Sequence, residues 1–277
     1  MQIVKVGNVE ITPLLDTPVL MNPRMFFPRN GDAFMEEFGQ LADDRGLFGM
    51  SITCFLVRSN GKNLLIDTEL GNRRRPGFPR GRLDETLREM GIEPGEIDVV
   101  LNTHMHVDHV GWNTVDDEAG NKQIFFPNAE FYFQRNEWDF WMTPEHLDDL
   151  AHQHLRDCVE PLIDTGRVKF FEGEGAIDES LTYVPTPGHT PGHVAIGVMS
   201  SGERAVVIGD ASHHPVQLIH PDWSPGADID PVLSARTREQ LFEMAIADQR
   251  TWIAGHWQFP GVGRIVRIEG KRVFQAL

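Results

Sequence analysis

Short apolar runs rich in β-branched residues recur along the chain, each bounded by turn-forming residues. Ile97-Asp98-Val99-Val100-Leu101, Leu181-Thr182-Tyr183-Val184, Ala205-Val206-Val207-Ile208-Gly209 and Thr251-Trp252-Ile253-Ala254-Gly255 are the clearest. Each is too short for a helix and reads as a buried strand. Ile265 to Ile268 and Arg272 to Phe274, joined through Glu269-Gly270-Lys271, add two strands near the C-terminus. Between the runs the period lengthens. Leu83 to Met90 is amphipathic and stops at Gly91, a C-cap residue. Asn136 to Val159 reads as mostly helical, with a restart at Pro144 after Thr143. Asp230-Pro231 opens a helix whose apolar period runs to about Ala247.

One stretch resists this reading. Val19 to Met50 carries Met25, Phe26, Phe27, Phe34, Phe38, Phe48 and Met50, interleaved with Pro23, Pro28, Asn30 and Gly31. It is expected to be a long irregular loop that roofs a pocket, meets a second subunit, or both.

The strands gain their interest from the residues at their ends. The run ending at Leu101 leads into His104-Met105-His106-Val107-Asp108-His109, four potential metal ligands in six residues. The others lead into His189, Asp210 and His256. In an extended segment residues two apart point the same way, so His104 and His106 can grip one ion together. Asp108 and His109 come where the chain can turn towards a second. Four strand ends meeting at one sheet edge would gather all seven side chains, in the manner of layered α/β folds.

Composition narrows the partners. With 277 residues, 40% of them hydrophobic, the chain can build one large core, and no Pro/Gly/Ser linker divides it. The net charge of −16 argues against nucleic acid, whose phosphates are held by Lys and Arg. The exception is Gly71-Asn72-Arg73-Arg74-Arg75-Pro76-Gly77, followed by Arg80 and Arg82, either a solvated basic loop or a dock for an anionic substrate group or an acidic partner subunit. Met1-Gln2-Ile3-Val4-Lys5-Val6-Gly7 lacks the pattern of a signal peptide, and no apolar stretch approaches membrane-spanning length. Two cysteines, Cys54 and Cys158, suit a reduced cytoplasmic setting.

His104-Met105-His106-Val107-Asp108-His109, then His189 in Thr186-Pro187-Gly188-His189-Thr190-Pro191-Gly192-His193, then Asp210 and His256, resemble the metallo-β-lactamase superfamily in that order. The resemblance extends to a hairpin from Cys54-Phe55-Leu56-Val57 through Leu64-Leu65-Ile66-Asp67-Thr68 and covers nearly the whole chain. It implies an α/β fold, a four-layer αββα sandwich of two similar halves. It implies that His104, His106 and His189 hold one metal, that Asp108, His109 and His256 hold another, and that Asp210 bridges them. It implies Asp67 as a hydrogen-bonding support for a ligand histidine, the other reading being a turn residue, and leaves His193 a structural role. His213 stands where acyl-homoserine lactonases carry a Tyr that contacts the substrate carbonyl; it is either a catalytic hydrogen-bond donor or a loop histidine facing water. His146, His152, His154, His214 and His220 read as surface or packing residues.

Two divalent ions, zinc first with iron, manganese or cobalt open, can sit about 3.5–4 Å apart and share a water whose lowered pKa makes hydroxide available. Such a bridging hydroxide attacks a carbonyl or phosphoryl centre, and Asp108 is either a ligand alone or also a catalytic proton carrier. No Gly-x-Ser-x-Gly elbow supplies a rival nucleophile. The tail from Gly255 to Gly263 resembles the branch containing methyl parathion hydrolases, related to the acyl-homoserine lactonases. That implies a small, neutral, partly hydrophobic substrate, a lactone or ester with phosphotriester cleavage as a side activity, and a homodimer. Trp112 and Trp223 are candidates for pocket walls, packing being the alternative. A glyoxalase II-like thioesterase, an iron-dependent sulfur dioxygenase and a metal-stabilised binding protein stay open; flavin-coupled di-iron reductases carry Glu where this chain has His106.

Overall fold

In the computed structural model residues 3–75 and 77–277 are described; Met1, Gln2 and Pro76 lie outside the described residues. The chain begins with β1 (Val4–Val6), β2 (Val9–Met21), the helices α1 (Pro23–Phe26) and α2 (Gly31–Phe38), then β3 (Phe48–Ser59) and β4 (Lys62–Ile66). Next come α3 (Leu83–Glu89), β5 (Val99–Leu101), the small ribbon β6 (Thr114–Asp116) and β7 (Lys122–Ile124), and β8 (Glu130–Gln134). Three short helices, α4 (Arg135–Trp141), α5 (Pro144–Asp148) and α6 (Gln153–Cys158), lead to β9 (Val168–Phe171). The second half holds β10 (Gly175–Ala176), β11 (Leu181–Pro185), β12 (Val194–Ser200), β13 (Glu203–Val207), α7 (Pro231–Ala247), β14 (Thr251–Ile253), β15 (Val262–Ile268) and β16 (Lys271–Ala276).

Two seven-stranded sheets result, ordered β1-β2-β3-β4-β5-β8-β9 and β10 through β16 in sequence. Their packing follows from the two-residue period of a strand. Leu64, Ile66, Val99 and Leu101 face the other sheet and meet Ile196, Val207 and Ile253 across it. The intervening Leu65 and Val100 face outwards onto Leu83 and Leu87 of α3 and Leu155 of α6. In the second sheet Val206 and Trp252 likewise turn out, onto Leu241, Phe242 and Ala245 of α7. Both faces of each central strand are therefore dry, which is why these strands read as unbroken apolar runs. The layers are helix, sheet, sheet, helix, as expected.

The helix expected from Asn136 to Val159 is broken more often than the sequence suggested. Trp141 ends α4, Thr143 accepts a hydrogen bond from the His146 N–H to open α5 at Pro144, and Asp149 is extended and caps the Ala151 N–H. Side chains that offer backbone donors an alternative partner stop helices, and here two do so in seven residues. α7 starts on Asp230, whose carboxylate accepts from the Val232 and Leu233 N–H groups, and ends at Ala247. Glu269 and Gly270, both at positive φ, turn β15 into β16.

The expectation of an irregular loop over Val19 to Met50 needs correction. Val19, Leu20 and Met21 finish β2 and pair with Met50, Gly49 and Phe48 of β3, so the segment is a long hairpin whose tip is folded into α1 and α2. Its aromatics build a small core of their own, Phe27, Phe34, Phe38 and Phe48 with Val216 and Trp223. Trp223 is thus a packing residue and not a pocket wall. Replacing Phe34, fully buried at the centre of this cluster, by Ala leaves a cavity and should cost about 3–5 kcal/mol of unfolding free energy, measured by denaturant titration.

Candidate metal centre

Four strands deliver the site. After β5 the chain passes Asn102 and Thr103 and turns through His104 to His109, a loop closed where the Thr68 N–H and the Asn102 side-chain amide donate to the His109 carbonyl, at 2.9 and 3.0 Å. β11 ends at Pro185, β13 at Val207 and β14 at Ile253, one short step before His189, Asp210 and His256. The two glycines of Thr186-Pro187-Gly188-His189-Thr190-Pro191-Gly192-His193 have a steric purpose. A Cβ on Gly188 would lie 2.2 Å from the Ser234 nitrogen at the start of α7, and one on Gly192 would lie 2.2 Å from the Glu137 nitrogen in α4. The loop is wedged between two helices that only bare backbone can approach.

The seven side chains meet. Asp210 is central and its two oxygens face different partners. Oδ2 lies 3.2 Å from His189 Nε2 and 3.6 Å from His104 Nε2. Oδ1 lies 3.2 Å from His109 Nε2 and 3.1 Å from His256 Nε2. His106 turns its Nδ1 towards His189 Nε2, 2.9 Å away. Asp108 reaches to 3.6 Å from His256 Nε2 and 3.9 Å from His109 Nε2. The donor atoms of His104, His106, His189 and Asp210 form one group within 4.8 Å of one another, and those of Asp108, His109 and His256 form a second. His213 adds its Nε2 at 3.1 Å from Asp210 Oδ2, its ring stacked parallel to that of His256.

The far sides of these rings are held as ligand histidines are commonly held. His109 Nδ1 meets Asp67 Oδ2 at 3.0 Å, His189 Nδ1 meets Asp228 Oδ1 at 2.8 Å, and His256 Nδ1 meets the Ser51 carbonyl at 2.9 Å. Asp67 also accepts from the Thr103 N–H and hydroxyl, and that hydroxyl contacts His104 Nδ1. His193, expected to be structural, accepts a hydrogen bond from the Asp210 N–H at its Nε2, while Nδ1 faces Thr186. Burial holds its ring down to about 3, so it is neutral at physiological pH.

Without ions the site balances Asp210 with protons: burial opposes charge on His109, His189 and His256, yet Asp210 beside them holds all three above the usual imidazole range, His189 up to about 9, and bound cations would displace those protons. Burial keeps His104 and His106 well below the usual imidazole range, hence neutral. Burial opposes the charge on Asp210, yet His109, His256, His213 and His104 around it hold its carboxyl well below the usual carboxylate range. His104 Nε2, His109 Nε2 and Asp210 Oδ1 are buried without a hydrogen bond, although their neighbours stand close. Orphaned buried donors and acceptors are costly, and atoms that crowd together without aligning on one another fit a pair of shared cations between them. The residues present therefore fit a His/Asp site for divalent metal.

A model of the metallo-beta-lactamase superfamily matches residues 47–256, which contain every one of these side chains. The chain belongs to that superfamily. Among solved structures, this superfamily member resembles the hydrolase AbOPH with 28% identity and a TM-score of 0.85, covering 99% of this chain and 96% of that one. It also resembles AidC, a dizinc quorum-quenching lactonase, with 22% identity and a TM-score of 0.82 over 100% and 97% of the two chains. The N-acyl homoserine lactonase AiiA of Bacillus thuringiensis subsp. kurstaki is 22% identical over 228 residues, 76% of this chain and 82% of that protein. Family and donor set together make the protein a metal-dependent hydrolase.

The centre opens into a cleft of about 1360 Å³ that reaches His106, Asp108, His189, Asp210, His213 and His256. Met25, Phe26, Met50 and Ile52 give it an apolar wall, and Trp141 lines it where Trp112 was a candidate. Trp112 is buried away from it because its indole N–H donates to Asp16 at 3.2 Å. His152 and His154 also line the cleft; His154 is buried and its Nε2 pairs with the Met105 carbonyl. His214 is buried against Phe34 and Phe48, a packing role.

Sequence reasoning missed three groups that brace the centre. Asp228 and Arg238 are buried together, and Arg238 also donates to the Ala211 and Pro221 carbonyls, so one guanidinium ties His189's partner to the Asp210 loop. Glu137 accepts from the Met105 N–H and Trp141 Nε1 through one oxygen and from Thr190 Oγ1 and the Gly192 N–H through the other, stapling the two histidine loops. Asp228→Asn is expected to weaken metal binding by about 10–100-fold, read by competition with a chromophoric chelator. Glu137→Gln turns an amide NH₂ onto N–H or O–H donors and should lower unfolding free energy by about 2 kcal/mol or more in a denaturant titration.

Proposed function

We propose that this protein is a dinuclear metal-dependent hydrolase that opens lactones or cleaves carboxyl esters, with phosphotriester cleavage as a side activity. One observation carries the proposal: the two oxygens of Asp210 face two separate sets of ligand atoms at one end of a largely apolar cleft. His104, His106 and His189 would hold one ion, Asp108, His109 and His256 the other, and Asp210 both. Zinc is the proposed metal, supported by the imidazole and carboxylate donors and by the dizinc state of the similar lactonase AidC.

When bound, the ions supply Lewis acidity towards the substrate oxygen and a water activated as nucleophile. The chain's own residues do the rest. Met25, Phe26, Met50 and Ile52 take the acyl portion and exclude bulk water from it, as apolar pocket walls do for hydrocarbon groups. His213 stands beside Asp210 on the cleft, placed to donate a hydrogen bond from its ring to the carbonyl oxygen as charge develops there. Asp108, the more exposed of the two carboxylates, is the group placed to carry a proton from the nucleophile to the leaving oxygen at its Oδ atoms.

The ester reading is supported by the size and apolar character of the cleft, and the lactone reading by the N-acyl homoserine lactonases among the relatives. A cytoplasmic homodimer belongs to the same proposal. Two free, buried cysteines support the compartment, and no described helix is long and apolar enough to cross a membrane. Purified protein is expected to carry two divalent ions per chain and to hydrolyse a γ-lactone or an aryl ester faster than thioesters. Chelation should abolish turnover and zinc restore it. His106→Ala should reduce kcat/KM by about a thousandfold, since loss of a metal removes several kcal/mol of transition-state stabilisation. Unchanged turnover in that variant would refute the mechanism.

A further inference from the structure

Besides its apolar wall the cleft has a basic lining, made by Arg73, Arg74 and Arg75. Two of the three are locked in place. Arg73 binds Asp116 through both Nε and a terminal nitrogen and donates to Thr114; Arg75 pairs with Asp157 at 3.3 Å; their side chains are only 10% and 14% exposed. Arg74 is exposed, and among the described residues it makes no hydrogen bond or ion pair. Lys122 adds a fourth cation at 3.4 Å from Asp157. The cluster thus sets four cations (Arg73, Arg74, Arg75, Lys122) against two carboxylates (Asp116, Asp157), on a chain whose net charge is −16.

Its place relative to the metal centre is fixed by α6. Asp157, which holds Arg75, lies three residues beyond His154, and His154 Nε2 contacts the Met105 carbonyl between His104 and His106. The anchor of the arginine cluster is therefore about one helical turn along α6 from the residue that contacts the ligand loop, and the intervening side chains add to that separation, which suits the far part of a substrate and not its scissile bond. The cleft is larger than the ~300–1,000 Å³ usual for small ligands, so it has room for such a part.

We propose that Arg74 is a specificity-determining residue that binds a carboxylate remote from the scissile bond, making the preferred substrates amphipathic esters or lactones with an acyl body and a distal anion. This rests on the hydrolase reading and narrows its substrate class. A single guanidinium matches a monoanionic carboxylate in bidentate fashion. A phosphomonoester dianion would need a second free cation, and Arg73 and Arg75 are already paired.

The test compares two aryl esters of equal acyl length on the zinc-loaded enzyme, one ending in a methyl group and one in a carboxylate. The wild type is expected to favour the carboxylate ester by about tenfold in kcat/KM, chiefly through KM, as expected for uniform binding of a remote group. Arg74→Ala should bring the ratio near unity and Arg74→Glu should invert it. Calorimetry adds a readout without turnover: decanedioate should bind more tightly than decanoate to wild type, and equally to Arg74→Ala. A ratio that ignores both substitutions, with no difference between the two acids, overturns the proposal. Hydrolysis of neither ester would count against the hydrolase reading, while the two acids would still report on Arg74.

Discussion

The constraint on which the structure depends is a single ionised carboxylate buried among histidines. Asp210 is almost wholly shielded from water, yet both oxygens are committed, one to each side of the centre. A buried charge of this kind survives only where opposite charge and hydrogen bonds surround it. Its backbone must also be fixed, because a small rotation would turn both oxygens away together. The Asp210 N–H donates to His193, and the loop behind it is tied by Arg238 through Ala211. The histidines, in turn, are aimed by Asp67, Asp228 and the Ser51 carbonyl. Nearly every polar group buried around the centre serves to keep one carboxylate at one angle.

The sandwich makes that arrangement possible. The ligands come from β5, β11, β13 and β14, drawn from both sheets. They meet because Leu64, Ile66, Val99 and Leu101 pack directly against Val207 and Ile253, which locks the ends of the two sheets to each other. A slip of one residue in β5 would carry Val99 and Leu101 to the outer face and Val100 inwards, and His104 would leave the centre. Burial of the inner face is thus what holds register, and register is what holds the donors together.

How much of this could be read in the sequence depends on which signals are local. The strands showed as apolar runs because both faces are dry, and the ligands showed because each comes within a few residues of its strand. The supports showed poorly. Asp228 sits in a turn with no periodic pattern, and Arg238 and Glu137 look like ordinary polar positions of helices; each role depends on a partner far along the chain, His189 for Asp228 at 39 residues, Ala211 for Arg238 at 27 and Met105 for Glu137 at 32. Trp112 and Trp141 could not be ranked as cleft residues, since the choice was made by a buried acceptor, Asp16, ninety-six residues from Trp112. The helices in the segment from Pro23 to Phe38 were hidden by flanking Pro and Gly, which here mark ends and not disorder.

The tandem Thr-Pro-Gly-His in Thr186 to His193 shows why composition alone cannot separate ligand from scaffold. Both histidines come after the same three residues, yet His189 faces Asp210 Oδ2 while His193 takes the Asp210 N–H from behind. The difference lies in what the preceding glycine touches, α7 at Gly188 and α4 at Gly192. Two contacts with different helices present one ring to the cleft and its near-twin to the backbone. Chemistry at such a centre is therefore set by steric contacts made outside it. The cleft walls are a separate matter: the β2–β3 hairpin, the arginine loop and α6 carry none of the ligands, so away from Ser51, which aims His256, and His154, which holds the Met105 carbonyl, substrate choice is free to change there without disturbing the donors.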